Sequence, residues 1–207
     1  MVKIKICGLK RQEDIEYANE LLPDYIGFVF AKSRRQVDLK LAQTLGNMLG
    51  KGIKKVGVFV NEDIEQVKEI AKNANLDVLQ FHGDEDQVYL SNFKGFTIWK
   101  SKSIEISMKT AEQNIMEKIN SYPIEGVVLD SSINGSTGGT GQSFNWNLIP
   151  RFNIEKKLIL AGGLSIDNVR NAIEIVKPYA VDISSGVEIN NVKNFNKIKK
   201  FIEKVRV

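Results

Sequence analysis

Eight short runs of β-branched and apolar residues recur along the 207-residue chain, and the segments between them carry helical spacing. That alternation limits the fold more than any other feature. The runs are KIKIC (3–7), YIGFVF (25–30), KVGVFV (55–60), DVLQF (77–81), FTIWK (96–100), GVVLD (126–130), KLILAG (157–162) and AVDIS (180–184). Several are apolar at consecutive positions, as strands covered on both faces are. Ile15, Ala18, Leu21 and Leu22 follow the first run at helical spacing, and Ile64, Val67, Ile70 and Ala71 follow the third. Asn61 and Ser165 stand where N-caps of the third and seventh helices are expected. Strand then helix, eight times, predicts an α/β fold: a single-domain (βα)8 TIM barrel of eight parallel strands over residues 1–207. An open doubly wound sheet shares the element order and is the alternative.

One segment breaks the regularity. After the sixth run the chain enters SSINGSTGGTGQS, a tract that resembles a flexible linker in composition. Both flanks belong to the same strand–helix repeat, however, because the helical pattern NWNLIPRF resumes directly after it. The tract therefore reads as a lid loop, with Gly138, Gly139, Thr140 and Gly141 at its centre, rather than as a domain boundary. A single cysteine excludes an internal disulfide, and one cysteine with one histidine gives no zinc-type cluster, so no metal is expected. No apolar run approaches the roughly 20 residues of a membrane span, and the N-terminus lacks a signal-peptide pattern, so the expectation is a cytoplasmic protein without a membrane partner. Net charge is +4 with Lys and Arg dispersed. The basic C-terminal segment carries Phe195, Ile198, Phe201, Ile202 and Val205 at helical spacing, which reads as the solvated face of a docked helix and not as a nucleic-acid grip.

In a barrel of this kind the active site lies at the C-terminal ends of the strands. Those ends present Cys7 and Gly8, Ser33 to Arg35, Asn61, Gln80, His82 and Gly83, Lys100, Asp130, Gly162 and Gly163, and Ser184 to Gly186. Glycine pairs after the seventh strand and SSG after the eighth leave backbone amides open to an anion, so Gly162, Gly163, Ser185 and Gly186 are assigned to a phosphate. Asp130 ends an apolar strand, where burial favours the protonated carboxyl that a general acid requires. Cys7 is by itself as compatible with packing as with chemistry. His82 suits a ligand-binding or basic role equally with a structural one. Arg35 has the planar fork for a carboxylate.

The motifs KICG (5–8), GFVF with SRR (27–35), VGVFVN (56–61), LQFHG (79–83), LD with GGTG and FNW (129–146), LAGGL (160–164) and DISSGVE (182–188) together resemble the phosphoribosylanthranilate isomerase family of tryptophan biosynthesis. The resemblance runs in order over nearly the whole chain. It implies an aldose–ketose type isomerase that converts N-(5-phosphoribosyl)anthranilate to 1-(2-carboxyphenylamino)-1-deoxyribulose 5-phosphate without a cofactor, by an Amadori rearrangement. It also implies that Asp130 is the general acid, that Cys7 is the general base and that Arg35 holds the anthranilate carboxylate. The segment FAKSRR is one residue shorter than the family form and lacks its proline, leaving Arg34 beside Arg35 as the carboxylate ligand. Gln80 and His82 are assigned to substrate binding. The partner is a small phosphorylated molecule, with monomer and homodimer both open. Another phosphosugar-processing barrel enzyme, or a non-catalytic phosphosugar-binding barrel, is the alternative.

Overall fold

The structure, a computed structural model, describes residues 1–103, 118–130, 146–151 and 153–207. Eight strands form one closed, fully parallel barrel in sequence order: β1 (Lys3–Cys7), β2 (Tyr25–Val29), β3 (Lys54–Phe59), β4 (Val78–Phe81), β5 (Thr97–Ser103), β6 (Gly126–Asp130), β7 (Lys157–Ala161) and β8 (Ala180–Ile183). Closure is made by β8 against β1, with Lys3 opposite Ala180 and Ile6 opposite Ile183. That ladder excludes the open sheet. Each strand expected from the sequence is present. The fifth is longer than its apolar run, because Ser101 and Ser103 stay in register with Val128 and Asp130 of β6.

Two layers of apolar side chains explain the continuous hydrophobicity of the runs. Outward residues such as Ile4, Ile26, Phe28, Leu79, Val127 and Val181 are buried beneath the helices. Inward residues Tyr25, Val56, Val78, Trp99, Val128 and Ile159 fill the lower barrel, where the Tyr25 and Trp99 rings meet edge to face at 5.0 Å. Higher up the filling becomes polar: Lys5, Gln80, Ser101 and Asp182 are all buried. The change of chemistry along the barrel axis positions the site.

Helices follow β1 (Gln12–Leu21), β2 (Leu39–Asn47), β3 (Ile64–Asn73), β7 (Val169–Val176) and β8 (Phe195–Arg206). The unit after β4 has only Gln87–Leu90 and a 3-10 turn, Ser91–Phe93. After β6 the described part is a 3-10 helix, Trp146–Arg151, and Pro150 within it has no N–H to donate. Two capping expectations are corrected. Asp63, not Asn61, caps the third helix, its carboxylate accepting from the amides of Glu65 and Gln66. Ser165 heads a turn before the helix at Val169: its Oγ accepts from Asp167 and its carbonyl from Val169. Leu22 lies off the buried face of its helix, in the left-handed C-cap with φ 51°. Between β8 and the last helix sits a small hairpin, β9 (Glu188–Ile189) with β10 (Val192–Lys193), which the sequence pattern did not announce. No described helix is long and apolar enough to cross a membrane.

The last helix docks on β1 and the first helix through Ile198, Phe201, Ile202 and Val205, as its spacing predicts. Phe201 is fully buried. Replacing Phe201 by Ala is expected to cost about 3–5 kcal/mol of stability through lost transfer energy and a residual cavity, measured by urea unfolding.

Candidate active site

Nine of the residues selected from the sequence line one cavity of about 530 Å³ at the C-terminal ends of the strands: Cys7, Arg35, Gln80, His82, Asp130, Gly162, Gly163, Ser185 and Gly186. The barrel order gives them a definite arrangement around the rim. Asp130 ends β6 and Cys7 ends β1, and the two strands between them, β7 and β8, deliver the glycine and serine loops. Arg35 reaches the cavity from the loop after β2, on the other side of β1. The lid residues Gly138, Gly139, Thr140 and Gly141 lie outside the described residues.

Local backbone explains how these groups come together. Gly8 follows Cys7 with φ 79°, and a Cβ there would lie 2.3 Å from Cδ of Arg35. The arginine stem thus crosses directly over Gly8, a path closed to any other residue type. Gly162 and Gly163 have φ 76° and 62° and turn the chain out of β7. Opposite them, Ser185–Val187 forms a 3-10 turn whose first amides have no acceptor within the turn. A Cβ on Gly186 would fall 2.4 Å from the Leu164 carbonyl, so the two loops are packed against one another.

Arg35 is not free in this arrangement. Its Nε and Nη2 donate to the two carboxylate oxygens of Glu188 at 2.7 and 2.8 Å. Arg34, half exposed, also bonds Glu188 at 3.2 Å, and the buried Lys193 donates to it at 2.7 Å. Three cations thus share one carboxylate. Burial pushes the Glu188 carboxyl up, but the hydrogen bonds and charges of Arg35 and Lys193 outweigh this and hold it at about 2. Of the two arginines, Arg35 lines the cavity, and Arg34 bonds Asn191 and Glu188 beside it.

Across the mouth, His82 Nε2 lies 4.0 Å from Asp130 Oδ2. Burial lowers the imidazole's proton affinity more than the Asp130 charge raises it, with Lys100 and Lys5 also lowering it, so the ring is neutral near pH 7. Gln80 donates weakly to Ser101 Oγ at 3.3 Å, leaving Oε1 buried with no partner among the described residues. Asn61 and Lys100, also strand-end candidates, do not enter the cavity. Lys100 is fully buried, donating to the Gly83 carbonyl at 2.6 Å and to Glu85 Oε2 at 2.8 Å. Glu85 in turn accepts from the amides of Asn61 and Gly83. That buried pair fastens the loops after β3 and β4 and so fixes the segment bearing His82.

Lys5, Asp182, Glu188 and Lys193 were missed as site residues. Lys5 and Asp182 had a visible signal: charged residues in phase with Cys7 and Ser184, at inward positions of their strands. Glu188 stood at the end of the DISSGVE motif with no role assigned, and Lys193 had no signal, since their pairing depends on the hairpin.

The family model of N-(5'phosphoribosyl)anthranilate (PRA) isomerase matches residues 4–204. The chain belongs to that family. Among its relatives, the N-(5'-phosphoribosyl)anthranilate isomerase of a Thermoanaerobacter species is 55% identical over 100% of this chain and 98% of its own length. That of Clostridium acetobutylicum is 51% identical with the same coverage of both chains. The crystal structure of phosphoribosyl anthranilate isomerase from Thermotoga maritima superposes with a TM-score of 0.86 at 33% identity, covering 100% of this chain and 99% of the other. A further phosphoribosyl anthranilate isomerase structure, in complex with reduced 1-(o-carboxyphenylamino)-1-deoxyribulose 5-phosphate, superposes at 0.82 with 32% identity, covering 100% of this chain and 99% of the other.

Because Glu188 is held far below its ordinary 4.5, its ion cluster adds stability that is complete above about pH 4.5 and lost as pH falls toward about 2. Glu188→Gln is expected to flatten the dependence of unfolding free energy on pH across that window, measured by urea titrations at several pH values.

Proposed function

We propose that the protein isomerises N-(5-phosphoribosyl)anthranilate to 1-(2-carboxyphenylamino)-1-deoxyribulose 5-phosphate, with Asp130 as general acid and Cys7 as general base, the whole chain acting as one catalytic unit. The observation that carries this reading is the order of groups around the rim: carboxyl, two anion-suited loops, thiol, guanidinium. The substrate has a phosphate, a ribose and an aromatic carboxylate. Phosphate on the amides of Gly162, Gly163, Ser185 and Gly186 sets the sugar between Asp130 and Cys7. The anthranilate carboxylate then meets Arg35, whose Nη1 donates to neither Glu188 oxygen. Glu188 holds the guanidinium plane in place.

Asp130 gives its proton to the ribose ring oxygen while the anilino nitrogen's lone pair forms a C=N bond to C1, breaking the ring C–O bond. The Cys7 thiolate then takes the proton from C2, and the electron pair of that C–H bond moves into a C1–C2 double bond as the C=N pair returns to nitrogen. Tautomerisation of the resulting enol gives the ketone. Neutral His82 lies beside Asp130, and the Oε1 of Gln80 is an acceptor for a sugar hydroxyl. The Schiff-base intermediate hydrolyses in water, which is the use of a cover over the acid. The reading carries with it a cytoplasmic biosynthetic role.

The test is the fluorescence change on conversion of phosphoribosylanthranilate by purified protein. Cys7→Ala and Asp130→Asn are each expected to lower kcat by about a hundredfold or more with KM changed far less. Near-normal turnover by Cys7→Ala would make the cysteine a packing residue and His82 the next base to test. Gly163→Val fills space now open and strains a position with φ 62°, and it is expected to raise KM more than it lowers kcat. Turnover is expected to survive treatment with a chelator.

A further inference from the structure

Directly beneath Cys7 the barrel buries a lysine that has no part in the proposed proton transfers. Lys5 is two residues before Cys7 on β1, so both side chains point inward, and Lys5 is fully buried. A Cβ on Gly27 of β2 would lie 2.8 Å from Cys7 Sγ and 3.3 Å from Lys5 Cε, so the sulfur and the lysine stem share the space that Gly27 leaves open. The Lys5 ammonium donates to Asp182 Oδ2 at 2.8 Å. Asp182 Oδ1 is buried with no partner among the described residues.

Burying a charge is expensive unless it is paired, and an apolar residue of similar size would fill this layer at lower cost. The cation must therefore answer some other demand. An ammonium has three donors, and Asp182 occupies one. The other buried lysine near this strand end is Lys193, but it donates to Ser184 carbonyl and Oγ and to Glu188, so its three donors are committed. Arg35 is directed at Glu188. Asp130 and His82 face the cavity from the opposite rim.

We propose that Lys5 is a positioning residue for Cys7: its ammonium, held by Asp182, is the counter-charge and hydrogen-bond donor for the thiolate. The proposal rests on the reading of Cys7 as base but concerns a property of the unliganded protein. One observation supports the state required of the lysine, and one chemical argument supports the need for it. Its burial works against the charge, yet the Asp182 carboxylate and the Cys7 sulfur raise its proton affinity above the ordinary value, so it stays cationic. A substrate with two anionic groups also opposes thiolate formation in the cavity, and a fixed buried cation offsets that without competing for the phosphate or carboxylate.

Cys7 is the chain's only cysteine, so alkylation by iodoacetamide reports on it alone. The pH profile of the alkylation rate is measured for the full-length protein, Lys5→Met, Asp182→Asn and the double variant. Lys5→Met is expected to lower the rate at neutral pH about tenfold and to move the profile to higher pH. Asp182→Asn removes the anion that the lysine also serves, so it is expected to move the profile to lower pH. Opposite displacements are not the signature of general loosening, which would raise the rate in both. If Lys5→Met fails to fold because Asp182 is left unpaired, the double variant gives the test, and its profile is expected at higher pH than that of Asp182→Asn. Profiles that coincide, or that move together, overturn the proposal. Turnover by Cys7→Ala decides the separate question of whether the thiol is the base.

Discussion

A parallel sheet closed on itself must fill its own interior, and everything else in this protein follows from how far up the axis that filling stays apolar. The ladder between β8 and β1 closes the ring. Below, Trp99 and its neighbours form a buried apolar cluster. Above them the alternation of side chains brings Lys5 and Asp182, then Cys7 and Asp130, to the same axis. The apolar floor excludes water from beneath, so charges placed on it interact in a medium where pairing is worth more than in solvent.

Much of this was legible in the sequence because it depends on local pattern. Strand phase alone located Cys7 and Asp130 at strand ends, and the glycines after β7 stood out by composition. The closed sheet was not decided by periodicity, since an open sheet of eight strands has the same element order; only the pairing of the first strand with the last separates the two. Asn61 was misread as a cap because Asn favours both caps and left-handed turns, and here it has φ 49° in the turn before Asp63. Lys100 shows the limit of reading strand ends by position. It faces outward, a single residue out of phase with the cavity, and that phase becomes certain only once the β4–β5 register is known.

Buried ion pairs form a second tier around the site. Asp182 with Lys5 and Glu188 with Arg35 join segments far apart in the chain, whereas Glu85 with Lys100 and Glu188 with Lys193 fasten neighbouring ones. Pairs of this kind seldom add stability over well-packed apolar groups. They do define geometry: Glu85 and Glu188 each accept from several donors at once, and Asp182 holds Lys5 across the closing ladder. The pair at Glu85 governs two loops through amides as well as through the lysine.

The hairpin at Glu188 also ties the last helix to the loop that carries Arg35. Its carboxylate grips Arg35, its carbonyl accepts from Lys197, and the amide of Asn194 at the head of the last helix bonds the Val187 carbonyl. The terminal helix and the cavity wall are consequently joined by a few hydrogen bonds through a four-residue ladder. Loss of any one of these bonds would loosen the hold of the helix and of Arg35 on the same short hairpin. The last helix is thereby a support of the loop that carries Arg35 and not only a cover for the first strand.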